Sequence, residues 1–351
     1  SGSPPTVAGA GLNDAGQLRR IVHASDFGHA LCGTGQPELG PTCESNSGAS
    51  NPFPPGTFNG QIVVCDRGLY GRVEKGRNLL DGGASGMILA NTAEQGADTA
   101  LENHCLPTLH VDGSTGDDLR EWLAAGSDHQ GRFSATSRLI DPDFGGVLAN
   151  SSGRGPVSGA PNLLKPNLTA PGSNIIGAGA EEPNAVVFLS GTSMASPHVA
   201  GAALLLRRAF PDWSVSAVLS ALETTADAAV VSNSDGLPAR VIDGGAGGAR
   251  VDRAARAGLY LPVTEADFLA ADPGAGGDPG TLNLPGVVST ACPQSCRFER
   301  RLKALSSGSW TVATEGQVEI SVSPSSFSLQ AGEEVTLTID VAAGDVASGA
   351  W

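Results

Sequence analysis

Basic residues are scarce in this 351-residue chain. Only 21 Lys and Arg stand against 36 Asp and Glu, for a formal net charge of -15. So acidic a surface removes nucleic acid from the expected partners, because phosphate binding needs a basic face; the acidity itself reads as solubility. Charged residues amount to only 16%, while the chain holds 48 Gly and 23 Pro. That balance argues against a helical bundle and for a turn-rich, β-containing protein. Long apolar runs are also missing, so no membrane-spanning helix is expected. There is no compact D-x-D-x-D-G calcium loop and no CxxC or Cys/His metal spacing.

What is present is a hydrophobic fraction of 40%, enough for substantial cores, and a length that implies two or three domains. Six cysteines occur, at 32, 43, 65, 105, 292 and 296. An even count without metal spacing points to disulfides and an oxidising, extracellular or cell-envelope location. Cys292 and Cys296 are near enough to pair locally; the other four leave three connectivities open. The chain opens at Ser1 with neither an initiator Met nor a signal segment, which is expected of a mature form or a fragment.

Along the chain, Thr6–Ala10 reads as a short strand. Gln61–Cys65 and Gly86–Asn91 are apolar and rich in strand formers, as buried strands are, and Leu106–Val111 is a third. A charged amphipathic helix is expected from Gly71 to Asp81, stopped by Gly82-Gly83, and a short one from Asp117 to Ala125. Further on, Ser173–Ala180 and Ala185–Leu189 read as strands. Met194–Arg208, Ser214–Ala226 (with Ser214 as N-cap) and Val251–Ala257 read as helices. Asp272–Gly280 has the composition of a flexible linker. Beyond it, 317–322 and 334–339 alternate apolar and polar residues, as half-buried antiparallel strands do.

Two resemblances organise these elements. Gly60–Gly68, Lys75-Gly76 and Gly82–Asn91 resemble, in order and spacing, the protease-associated (PA) domain. Gly191-Thr192-Ser193-Met194-Ala195-Ser196-Pro197-His198-Val199-Ala200-Gly201 resembles the serine motif of the subtilisin-like proteases. Lys165–Gly172 resembles the segment that precedes it, and Ser151–Pro156 resembles a family turn with one extra glycine. The end of the chain resembles a fibronectin III-like domain.

The serine motif also has direct physical content. A glycine lets the chain turn sharply out of a strand, and Ser193 then opens a helix whose free N–H groups and positive end can stabilise an oxyanion. Pro197 is expected in the first turn, where its missing N–H costs little. Ala195, Ala200, Gly201, Ala202 and Ala203 make a thin helix suited to tight packing.

The resemblance implies an α/β fold: the C-terminal half of a subtilisin-type parallel sheet, an inserted α+β PA domain and an incomplete C-terminal β-sandwich. The expected divisions are 1–19 (end of an N-terminal protease portion), 20–138 (PA), 139–262 (protease), 263–280 (linker) and 281–351 (sandwich). It implies a serine endopeptidase acting on protein or peptide substrates through an acyl-enzyme on Ser193, with Gly191, Thr192, Met194, Ala195, Pro197 and His198 framing the nucleophile.

No cofactor is implied; structural calcium would suit the family, although no site is visible. The PA domain would gate or contact substrate, or mediate dimerisation. The family's aspartate, histidine and oxyanion-asparagine motifs (D-[ST]-G, H-G-T-H, S-x-G-N-x-G) do not occur. His198, five residues after Ser193, is about 140° around a helix and is expected to be a buried structural residue. His23, His29, His104, His110 and His129 all fall in the PA-like region. The isolated chain is therefore expected to be an inactive, aggregation-prone fragment of an active protease. A non-catalytic binding or scaffold protein built on the PA and sandwich units is the alternative. Asn150-Ser151-Ser152 and Asn167-Leu168-Thr169 are glycosylation sequons.

Overall fold

The computed structural model describes residues 6–38, 43, 48–137, 145–180, 183–228, 231–232, 237–290, 292–316 and 318–342. The expected boundary after residue 138, Gln317 and the terminal Gly349-Ala350-Trp351 lie outside the described residues.

The N-terminal unit is built on β1 (Arg19–His23), β2 (Ile62–Asp66), α1 (Arg72–Asp81), β3 (Gly86–Ala90), β4 (Thr108–Val111), α2 (Gly113–Ala124) and β5 (Gln130–Gly131). The sheet order is β4-β3-β2-β1-β5. The first four strands run parallel and β5 is antiparallel to β1. Alternate residues of β2 serve opposite faces. Val63 and Cys65 pack with Leu79 of α1 and with Phe53 and Phe58, while Ile62 and Val64 pack with Leu119 of α2. Burial on both faces explains why these strands read as unbroken apolar runs.

Helix α2 begins four residues before the expected Asp117. Asp112 directly follows β4; its carboxylate accepts the Thr115 N–H at 2.7 Å and caps the helix. The cysteines left open in sequence pair as Cys32–Cys65 and Cys43–Cys105, and Cys292–Cys296 closes the local pair.

The expected strand Thr6–Ala10 is not formed. Only Ala10 makes a bridge, to His110 on the outer edge of β4. Beyond it the side chain of Asn13 takes over the role of a backbone. Its Nδ2 donates to the Thr108 carbonyl at 2.8 Å and its Oδ1 accepts the Thr108 N–H at 2.9 Å. The approach is so close that a Cβ on Gly9 or Gly11 would fall on the carbonyl oxygens of His110 or Thr108.

The next unit contains β6 (Val147–Leu148), β7 (Ile175–Ala178), β8 (Val186–Leu189), α3 (Thr192–Ala209), α4 (Val215–Thr224), β9 (Val231–Ser232), α5 (Val241–Gly244) and α6 (Val251–Ala254). Helix α6 is a single turn, shorter than expected. β6 and β9 are parallel, whereas β7 and β8 form an antiparallel hairpin. Leu206 of α3 packs with Val218, Ala221 and Leu222 of α4 and with Ala254 of α6.

The last unit comprises β10 (Leu259–Tyr260), α7 (Glu265–Ala270), β11 (Ser295–Ala304), β12 (Gly308–Thr311), β13 (Glu319–Ser323), β14 (Ser326–Leu329) and β15 (Glu334–Ala342). β10-β11-β15-β13 form one antiparallel sheet and β12-β14 another, consistent with a sandwich. β10, inside the range assigned to the protease segment, is hydrogen-bonded to β11 of this unit. Short helical elements occupy the segment 263–280 expected as a linker. Thr264 caps α7, and the two Asp-Pro-Gly segments form 3-10 turns capped by Asp272 and Asp278 through the Gly274 and Gly280 N–H groups, each at 2.8 Å. Asp-Pro-Gly sets this up by itself, because the carboxylate accepts an N–H two residues on while proline fixes φ.

Candidate active site

β8 ends at Leu189 and the chain turns through Ser190 and Gly191 into α3. Gly191 has φ +156° and ψ 167°, a region essentially closed to residues with a Cβ. Its N–H donates to the Gly172 carbonyl at 2.7 Å, and its carbonyl accepts the N–H groups of Met194 and Ala195 at 3.0 and 3.3 Å. No side chain caps α3. The N–H groups of Thr192 and Ser193 therefore point off the positive end of the helix without an intrahelical acceptor.

Ser193, second in the helix, is exposed. It lines an apolar cavity of about 360 Å³ walled by Ile175, Gly177 and Ala178 of β7 and Val187 and Leu189 of β8, with Met194, Pro197 and His198 on the helix side. Thr192 is exposed and Ala195 half-buried beside Gly172.

Two expectations about this segment are corrected. Pro197 is not in the first turn but sixth in α3, because the helix already starts at Thr192. Proline has no N–H for the carbonyl four residues back, so the Ser193 carbonyl loses its helical donor. His198 is not buried: it is exposed on the rim of the Ser193 cavity. Its Nδ1 donates to the Met194 carbonyl at 2.8 Å, which ties the ring to its own helix. Among the described residues, no imidazole or carboxylate is hydrogen-bonded to Ser193. The thin helix packs through Leu206, while Ala200, Gly201, Leu204 and Leu205 are exposed.

The other histidines belong to the N-terminal unit. His110 is fully buried; its Nε2 lies 2.8 Å from Asn91 Oδ1, and its Nδ1 accepts the Ala100 N–H at 2.9 Å. Burial, reinforced by Arg67, lowers its pKa to about 3, so the ring is neutral.

Sequence reasoning missed one polar cluster. His23 Nδ1 lies 2.7 Å from Ser25 Oγ, its Nε2 lies 3.3 Å from Asp66 Oδ1, and Arg120 reaches the same oxygen at 2.7 Å. The serine, imidazole and carboxylate stand in a row, but they form a cap. Nδ1 also accepts the Ser25 N–H at the start of a 3-10 turn, and Arg120 already neutralises Asp66. Burial pushes the Asp66 carboxyl up, but the bonds and charges of His23 and Arg120 outweigh it and hold the pKa below the usual carboxylate range.

Among the described residues, no group of three or more His, Cys, Asp or Glu side chains is placed to hold a metal ion. No described helix is long and apolar enough to cross a membrane.

The subtilase family profile matches residues 87–257 and the PA domain profile matches residues 32–119. Subtilisin-like protease SBT1.7 of Arabidopsis thaliana is 37% identical over 232 residues, covering 61% of this chain and 31% of the relative. SBT1.6 of the same plant is 33% identical over 307 residues, covering 82% of this chain and 40% of its own length. SBT1.4 is 38% identical over 231 residues, covering 62% and 27%. The chain thus spans about a third of the length of the curated relatives it matches. Among solved structures, the psychrophilic subtilisin-like protease Apa1 from Pseudoalteromonas sp. AS-11 aligns over 73% of this chain and 43% of its own at 18% identity, with a TM-score of 0.26, too low to bear on the fold. With both profiles and these relatives in agreement, the chain belongs to the subtilase family of serine proteases and carries a PA domain.

Proposed function

We propose that this chain is the serine-bearing portion of a secreted endopeptidase, with Ser193 as its nucleophile. The observation that carries this reading is the position of Ser193: exposed, in the first turn of an uncapped helix, lining a cavity walled by β7 and β8. The Ser193 hydroxyl would attack the scissile carbonyl and form an acyl-enzyme. The free N–H groups at the start of α3 favour negative charge beside the attacked carbon. The proton on Ser193 needs a base. His198, with Nδ1 committed to Met194, is not assigned that role, and the base and its orienting carboxylate would come from protein outside these 351 residues.

On this reading the isolated chain does not hydrolyse peptides. The PA unit gates or contacts substrate or mediates dimerisation, and the C-terminal sheets form a fibronectin III-like support. Three disulfides support an extracellular or cell-envelope setting. No cofactor is assigned.

Labelling with a serine-directed fluorophosphonate tests the assignment. The isolated chain should stay unlabelled. The protein from the complete reading frame should be labelled at Ser193 and should lose both label and peptide hydrolysis in Ser193→Ala. Undiminished hydrolysis by that variant would exclude Ser193 as nucleophile. No labelling or hydrolysis in the complete protein would favour a binding or scaffold role.

A further inference from the structure

Asn174 joins the PA segment to the turn that presents Ser193. It is one of three described non-glycine residues with positive φ, at +54°, a conformation asparagine tolerates better than most. Its N–H donates to Ser190 Oγ at 2.8 Å, and that hydroxyl returns a longer bond of 3.4 Å to Asn174 Oδ1. The same Oδ1 accepts the backbone N–H of Leu101 at 2.7 Å, across 73 residues of sequence. Asn174 directly precedes β7, which walls the Ser193 cavity, and Ser190 lies between β8 and Gly191.

Leu101 is itself held firmly from the PA side. The Asp98 carbonyl accepts from Arg67 at 2.8 Å and from Asn91 at 3.1 Å. Glu102 pairs with Arg72 through both carboxylate oxygens, and Cys105 is bonded to Cys43. The Leu101 N–H is therefore a fixed donor between anchored neighbours. Asn174 supplies the short polar link from that donor to the Ser190 turn.

We propose that Asn174 is a positioning residue: it couples the placement of PA segment 98–105 to the Ser190–Ser193 turn, so that a displacement of that segment is felt where the serine is presented. The catalytic consequence rests on the Ser193 reading above; the mechanical coupling does not.

Residue-resolved amide exchange on the 351-residue chain tests the coupling without any chemistry. Asn174→Gly keeps the left-handed backbone and deletes the acceptor. Leu101 should then exchange about tenfold faster, as expected for loss of one net hydrogen bond, and Gly191, Met194 and Ala195 should accelerate with it. Asn174→Asp retains both acceptor roles and should keep all four amides slow. The Val63 and Leu89 amides in the sheet report whether the PA unit stays folded.

If they too accelerate in Asn174→Gly, Ser190→Ala provides the second reading. It cuts the link on the serine side only, so Gly191, Met194 and Ala195 should exchange faster while Leu101 stays protected. Fast Leu101 exchange with Gly191–Ala195 at wild-type rates in Asn174→Gly overturns the coupling. So does unchanged Leu101 exchange, an Asn174→Asp profile like that of Asn174→Gly, or an unaltered turn in Ser190→Ala. A failed Ser193 assignment would appear in probe labelling and leave these rates untouched.

Discussion

Gly172 and Gly191 meet backbone to backbone. The Gly191 N–H donates to the Gly172 carbonyl at 2.7 Å, and a Cβ on Gly172 would stand 2.9 Å from the Gly191 carbonyl oxygen and 3.2 Å from Ala195 Cβ. The approach joins the segment before β7 to the start of α3, and a side chain on either glycine disturbs it for a different reason.

At Gly191 the obstacle is conformational, since φ +156° is a glycine conformation. Gly191→Ala should destabilise the unit by about 1–3 kcal/mol. At Gly172 the obstacle is space: an added Cβ would stand 2.9 Å from a backbone oxygen, so the two backbone segments must move apart and their hydrogen bond must lengthen. Gly172→Ala should therefore destabilise the unit as well. Urea unfolding of both variants, followed by tryptophan fluorescence, checks this; a Gly172→Ala midpoint at the wild-type value would show that the close approach is not required.

Acid should weaken the PA unit before its carboxylates titrate. Buried His110 takes up a proton only near pH 3 when folded, against about 6.5 when unfolded. Between those values the unfolded chain binds more protons, so stability falls as pH is lowered from about 6.5. The slope is at most about 1.4 kcal/mol per pH unit for this one group. His104 is depressed too, chiefly by burial, and acts in the same direction. Replacing His110 by Gln should flatten the dependence of the urea midpoint on pH between 4.5 and 6.5. An unchanged slope would assign it to other groups.

The two kinds of disulfide should differ sharply in worth. Cys32–Cys65 closes a loop with a sequence separation of 33, and both residues are fully buried in the core. Chain-entropy reasoning gives it about 3–4 kcal/mol. Cys292–Cys296, with a separation of 4, constrains the unfolded chain far less. Paired Cys→Ala substitutions, followed by denaturant unfolding, should show a large loss for the first and a small one for the second. Comparable losses would place the contribution in native-state contacts instead.

The parts legible in sequence were those with one dominant local cause. β2 and β3 read correctly because strands buried on both faces are continuously apolar, and α4 because Ser214 caps it. The serine motif was legible because strand, glycine and helix follow one another without interruption.

What escaped depends on distant partners. β11 holds charged residues at the alternate positions Arg297, Glu299, Arg301 and Lys303, yet a further charge, Arg300, falls on the inward register and is buried, with Nε on the Leu284 carbonyl at 2.6 Å; a charge there breaks the alternation by which a strand is recognised. Thr6–Ala10 has the composition of a strand, but the pairing is made by Ala10 and then by the Asn13 side chain. His198 sits in an apolar helix, where a histidine is usually buried, yet it is exposed. The face of α3 around it is exposed in this chain, and no local pattern reports which faces of a helix find partners.

Three successive leucines on α3 bring that point to measurement. Leu204 and Leu205 are 70% and 62% exposed, whereas Leu206 is 2% exposed against α4 and α6. Identical chemistry at adjacent positions should therefore give opposite results. Leu206→Ala removes a packed side chain and should cost about 2–5 kcal/mol. Leu204→Ala and Leu205→Ala remove no packing and should stay within about 0.5 kcal/mol. Exposed apolar surface drives association, so Leu204→Lys with Leu205→Glu should also lower self-association in sedimentation velocity, without shifting the unfolding midpoint. If Leu204→Ala proves as costly as Leu206→Ala, that face is covered in solution, by a second copy of the chain or by a rearrangement of its own. The concentration dependence of the midpoint separates the two, since only association makes stability rise with protein concentration.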